Sequence, residues 1–157
     1  MTTALFQVNI HQYNVGHLTL HQAVDSLHRF ILAKNGWEYR PLKIGSWQYD
    51  NFAHFIFSIN EWCLQNVAEK KPTPKRLSKI VHASWVQNYT YWRDQKPYLT
   101  DKRYSLPKKD PFNPERDARV LKVYKDLSEE EQAKHSLFVG WYYQHLSDHI
   151  RIHKIVL

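Results

Sequence analysis

Apolar positions recur at helical spacing in four stretches of the chain. Leu20, Ala23, Val24, Leu27, Phe30 and Ile31 fall at i, i+3, i+4, i+7, i+10 and i+11, on one face of a helix over 20–35. Thr19 precedes it as an N-cap and Gly36 follows as a stop. Phe52, Phe55, Ile56, Ile59, Trp62 and Cys63 give a second helix, 51–69, capped by Asp50. Its apolar face is broad, which predicts the central helix of the fold. Thr73 and Pro74 open a third helix, 74–94, with Leu77, Ile80, Val81, Ser84, Trp85, Asn88, Tyr91 and Trp92 on one face. Ser128 and Glu131 form a capping-box pattern before a last helix carrying Phe138, Trp141, Tyr142, Leu146 and Ile150 to about His153.

Between the third and last helices the pattern changes. Residues 96–113 have no helical period and read as an ordered loop pinned by Tyr98, Tyr104 and Phe112. Asn113 and Pro114 then start a short helix to about Tyr124. Near the N-terminus Phe6, Val8 and Ile10 alternate with Gln7, Asn9 and His11, which fits a short strand or a frayed segment equally. The expected fold is mainly α. It is a single compact domain, 1–157, of about five helices with a long ordered loop and room for a short N-terminal strand.

Length supports one domain, since 157 residues bury about 70% of the unfolded surface without disulfides or metals. Cys63 is the only cysteine, and its place on an apolar face reads as a small buried hydrophobe. Met1 to Ile10 lacks the basic start and apolar run of a signal peptide, and Phe52 to Ile59 is too short to cross a bilayer. A soluble, cytoplasmic protein with no membrane partner is expected.

Charge changes this picture more than composition does. Residues 1–68 balance four Lys/Arg against four Asp/Glu, whereas residues 70–125 hold fifteen against five. That asymmetry points either to an anionic partner or to a basic surface kept for solubility. Lys75, Arg76 and Lys79 crowd the start of the third helix, against the helix dipole.

Catalytic patterns are weak. His145, Asp148 and His149 have helical metal-ligand spacing, but two or three residues on one helix fit hydrogen-bonded histidines better than a metal centre. Four scattered glycines cannot build a phosphate loop, and no nucleophile elbow is present. Glu129, Glu130 and Glu131 suit the first turn of a helix. No enzymatic activity, cofactor or metal is expected.

Two stretches carry a likeness. One is His82-Ala-Ser-Trp85 with Asn88-Tyr89-x-Tyr91-Trp92-Arg93-Asp94, and the other runs from Tyr124 to Lys134. Together they resemble the ryanodine-receptor (RyR) domain, in which an H-x-x-W helix is followed by a basic, aromatic loop and a P-Y-x-x-L-x-x-x-E-K segment. The likeness spans about residues 78–146, within a 74–154 part of the domain. Lys134 is followed by His135 and Ser136 rather than the family's K-x-D-R ending, and Gly36-Trp37-Glu38-Tyr39 lies upstream of where its G-W-x-Y-G turn belongs. The resemblance implies a small helical module that binds a ligand or partner and catalyses nothing, with nucleotide sensing a reasonable suggestion.

The residues themselves lead to a binding surface on the third helix and the loop. Trp85, Tyr89 and Trp92 share a helix face, and Arg93 and Lys96 follow at its end. The expected ligand site comprises His82, Trp85, Tyr89, Trp92, Arg93, Lys96, Lys102, Arg103, Lys108 and Lys109. Trp85 and Trp92 serve as its floor or as core anchors, and Tyr89 is the ring expected at the surface. The expected partner is an anionic small molecule, such as a nucleotide, or an acidic protein surface. A sequence-tolerant nucleic-acid binder and an assembly protein of a virus or larger complex are the alternatives.

Overall fold

The protein is described by a computed structural model covering residues 8–66 and 73–145. A tight antiparallel hairpin, β1 (Asn14–Val15) and β2 (Leu18–Thr19), leads into α1 (Leu20–Lys34). Then follow α2 (Trp47–Gln65), α3 (Pro74–Gln95), the single turn α4 (Pro97–Thr100), α5 (Pro114–Val120), a 3-10 turn (Tyr124–Asp126) and α6 (Glu129–His145). Val8 to Ile10 form no strand, Phe6 and Gln7 lie outside the described residues, and the short strands near the N-terminus are those of the hairpin at 14–19.

The caps explain where the helices begin. Thr19 accepts from the Gln22 amide and the Gln22 side chain accepts from the Thr19 amide, a reciprocal capping box. Thr73, Asn113 and Ser128 each accept from the backbone amide three residues on. Gly36, at φ +67°, lets α1 end in the left-handed turn that favours glycine.

The second helix starts earlier than its apolar period indicates. Ser46 caps it by accepting from Tyr49, so Asp50 is not the cap but a first-turn residue with a buried carboxyl. The loop 96–113 contains the α4 turn, and the helix expected to reach Tyr124 stops at Val120. The expected ends of the second helix beyond Asn66 and of the last helix beyond His145 lie outside the described residues.

Four long helices close a ring: α2 packs on α1 and α3, and α6 packs on α3 and α1. Phe52 and Phe55 of α2 also meet Phe138 of α6 edge-on, at 5.6 and 5.1 Å, so α2 is central. Leu20, Leu27, Phe55, Ile56, Ile59, Leu77 and Trp141 fill the core, and Cys63 is buried among them. A second cluster is aromatic. Trp47, Tyr89 and Trp92 are buried, with Tyr98, Tyr104 and Phe112 packed over them. The long loop is therefore pinned by the three rings read from the sequence. No helix among the described residues is long and apolar enough to cross a membrane.

Candidate functional site

The aromatic cluster absorbs much of the expected ligand surface. Tyr98 stacks on Trp92 at 5.8 Å and Tyr104 meets it edge-on at 5.7 Å. Trp92 Nε1 donates to Asp50 Oδ2 at 2.7 Å, so this ring is a core anchor. Tyr89 is fully buried, contrary to the surface position expected for it. Phe112 covers its ring at 5.1 Å, and its hydroxyl donates to Asp117 Oδ1 at 2.6 Å. Burial, reinforced by that carboxylate, pushes the Tyr89 phenol up to about 12. Trp85, stacked on Tyr89 at 4.9 Å, is the ring left partly open.

The cations expected around these rings are dispersed. Arg93 does not offer a free fork. It pairs with Asp94 at 2.8 Å and Asp117 at 3.2 Å. Arg103 pairs with Asp101 at 2.6 Å. Lys96 sits at φ +47° and turns the chain from α3 into α4, with its side chain exposed. Lys102, Lys108 and Lys109 are exposed on the loop. None of these six lines the cavity described next.

That cavity, of about 230 Å³, lies between α2, α3, α5 and α6. Phe52, Phe55, Val81, Val120, Leu127 and Phe138 make its apolar surface, and Trp85 forms an aromatic wall. Arg116, Arg119 and Lys134 contribute three cations against one carboxylate, Glu131. Glu131 Oε1 holds Lys134 at 3.1 Å and Arg119 at 3.6 Å, while Arg116 has no carboxylate partner of its own here. The Arg116 guanidinium lies 5.9 Å from the Trp85 ring centre.

Two polar atoms of this lining are shielded from solvent and have no hydrogen-bond partner: His82 Nδ1 and Arg116 Nε. Unpaired buried polar atoms are uncommon because each costs about 1–3 kcal/mol. His82 Nε2 donates to the Lys122 carbonyl, which leaves Nδ1 an acceptor on the neutral ring and a donor on the cation. His135 crosses His82 edge-on at 5.3 Å and donates from Nδ1 to the Glu131 carbonyl at 2.8 Å. Burial holds His135 below the usual imidazole value, so it is neutral at pH 7. Asn51 reaches the lining too, held by Asn88 Nδ2 at 2.8 Å.

Of the expected site residues, then, the structure brings His82 and Trp85 to one cavity. Arg116, Arg119, Lys134 and His135 were not among the expected site residues. Their signal was present as spacing: i, i+3 on α5, and Glu131, Lys134, His135 at i, i+3, i+4 on α6. What was missing was the approach of α5 and α6 to His82.

Among the described residues no cluster of histidine, cysteine and carboxylates suited to a metal exists. His145 packs against Phe30 at 5.5 Å, and Asp148 and His149 lie outside the described residues.

Comparison with family models, with curated proteins and with solved structures finds no match. The likeness to the RyR domain thus rests on its own residues. Of the two stretches, Tyr124 of the second packs against His82 of the first at 6.5 Å.

Proposed function

We propose that the protein is a non-catalytic binding module for a small organic anion, held in the cavity between α2, α3, α5 and α6. One observation carries this reading: a mostly apolar cavity gathers three cations against one carboxylate, and two of its lining residues, His82 and Arg116, each hold a buried polar atom that lacks a partner. A ligand oxygen would satisfy Arg116 Nε, and a second polar atom would satisfy His82 Nδ1. The ligand's ring or short apolar body would lie against Trp85, Phe52 and Phe138. Arginine suits the anionic end because its planar fork matches a carboxylate or phosphate.

Size narrows the class. A cavity of about 230 Å³ is below the roughly 300–1,000 Å³ usual for drug-sized ligands. Aromatic carboxylates and nucleoside monophosphates, the latter with part of the sugar phosphate outside, are the fitting candidates. The stacking platform that a nucleic-acid binder would use is weakened, because Tyr89 and Trp92 are both buried.

Thermal melts against a panel of aromatic carboxylates, nucleoside monophosphates and inorganic phosphate test the reading. A ligand at 100 times its Kd should stabilise the fold by about 2.7 kcal/mol, a rise of roughly 5–10 °C for a chain of this size. Arg116→Gln should abolish the rise while Arg93→Gln preserves it. A panel with no shift, or an equal shift in Arg116→Gln, removes the proposal.

A further inference from the structure

On the opposite side of His82 a long open groove runs beside α3. Its first wall spans Pro74 to Thr90 of α3, about 24 Å at 1.5 Å per residue. Its second wall is the 121–125 segment. Both walls are fixed in place. His82 ties the second wall to α3 through the Lys122 carbonyl. Gln132 ties it to α6 by donating to the Tyr124 and Leu127 carbonyls at 3.1 and 3.2 Å. A groove held this way needs little ordering on binding.

Charge and floor together identify an occupant. Lys75, Lys79, Lys122 and Lys125 line the groove, and no carboxylate does so among the described residues. The lining also holds Ala83, Val86, Leu121 and Val123, and Val123 is 58% exposed. Among the described residues the lining contains no arginine, and its rings are Tyr124 and the His82 imidazole. Base stacking and bidentate phosphate contacts are therefore poorly served, whereas carboxylates between apolar side chains are well served. The chain's own stretches 1–7 and 146–157 hold a single acidic side chain, Asp148, and do not complement four lysines.

We propose that this groove docks an acidic amphipathic segment of a partner protein, with its carboxylates on the four lysines and its apolar side chains on Val86, Leu121 and Val123. A helix of about four turns matches the groove's length. This groove shares His82 with the anion cavity but takes its four lysines and its apolar side chains from other residues, so it stands whether or not that cavity binds a ligand.

The test uses a fluorescein-labelled 16-residue peptide with glutamates on one helical face and leucines on the other. The controls are the same peptide with glutamine for glutamate, a glutamate-only peptide and a 16-nucleotide single-stranded DNA. Fluorescence anisotropy in 100 mM salt should show saturable binding of the acidic amphipathic peptide, at least tenfold tighter than each control. The double variant Lys79→Glu/Lys122→Glu should weaken that binding at least tenfold with an unchanged circular dichroism spectrum. Absence of binding, equal binding of any control, or undiminished binding to the folded double variant overturns the proposal.

Discussion

Asp50 and His54 stand one turn apart on α2, with 3.9 Å between Oδ2 and Nε2, and both are buried. Burial raises the Asp50 carboxyl to about 7, opposed by the hydrogen bond from Trp92, and lowers the His54 imidazole to about 3. Between pH 4 and 6.5 the folded pair thus keeps one proton, on the carboxyl. The unfolded pair also keeps one, on the imidazole, so the two effects cancel. Alone, Asp50 gives stability that is full below about pH 4 and is lost as pH rises to about 7. His54 alone does the opposite: the fold is weakened in acid and recovers as pH rises towards 6.5. Denaturant unfolding should therefore show stability rising with pH in Asp50→Asn and falling in His54→Gln, each by up to about 1.4 kcal/mol per pH unit. Tyr49, Tyr91 and Tyr104 feel the Asp50 charge but titrate far above this window. Parallel profiles in both variants and the parent would contradict the assigned protonation. Nothing local to Asp50 announces this role, because its partner Trp92 is 42 residues away.

Four helix starts were legible from caps that complete their bonds within three residues. Thr19, Thr73, Asn113 and Ser128 all do so. The start of α2 depends on more. Gly45, at φ +88°, precedes the Ser46 cap, and its carbonyl accepts from Ser105 of the long loop at 3.0 Å. A Cβ at position 45 would lie 1.7 Å from the Arg103 carbonyl oxygen. Gly45→Ala should therefore destabilise the fold by at least about 1–3 kcal/mol from backbone strain alone, and it should loosen the loop over Trp47 and Trp92. Urea unfolding measures the first, and near-ultraviolet circular dichroism of the tryptophans reads the second. Unchanged stability would mean that the loop does not approach Gly45.

At the scale of the whole molecule the excess of positive charge is divided rather than pooled. Arg116, Arg119 and Lys134 line the cavity, and Lys75, Lys79, Lys122 and Lys125 line the groove. Arg93 and Arg103 are neutralised by neighbouring aspartates. A continuous phosphate track is not what this arrangement offers. DNA titrated at 50–200 mM salt should bind weakly, with a log–log slope below about 3, since each phosphate contact contributes about 0.9. A slope of about 6 or more would establish nucleic acid as the partner instead.

Period and cap chemistry determined the helical class and the four long helices. Those features follow from bonds and stripes confined to a few turns of chain. Period alone could not decide which aromatic faces outward. Tyr89 and Trp85 share one helix face, yet Phe112 and Asp117 cover the first and leave the second partly open. Nor could charge alone separate paired cations from available ones. Asp117 neutralises Arg93 while the neighbouring Arg116 keeps a buried, unpartnered Nε. These outcomes belong to the tertiary structure because they depend on where α5 and the loop settle against α3, and desolvation at a residue is set by everything packed around it rather than by its own sequence neighbours.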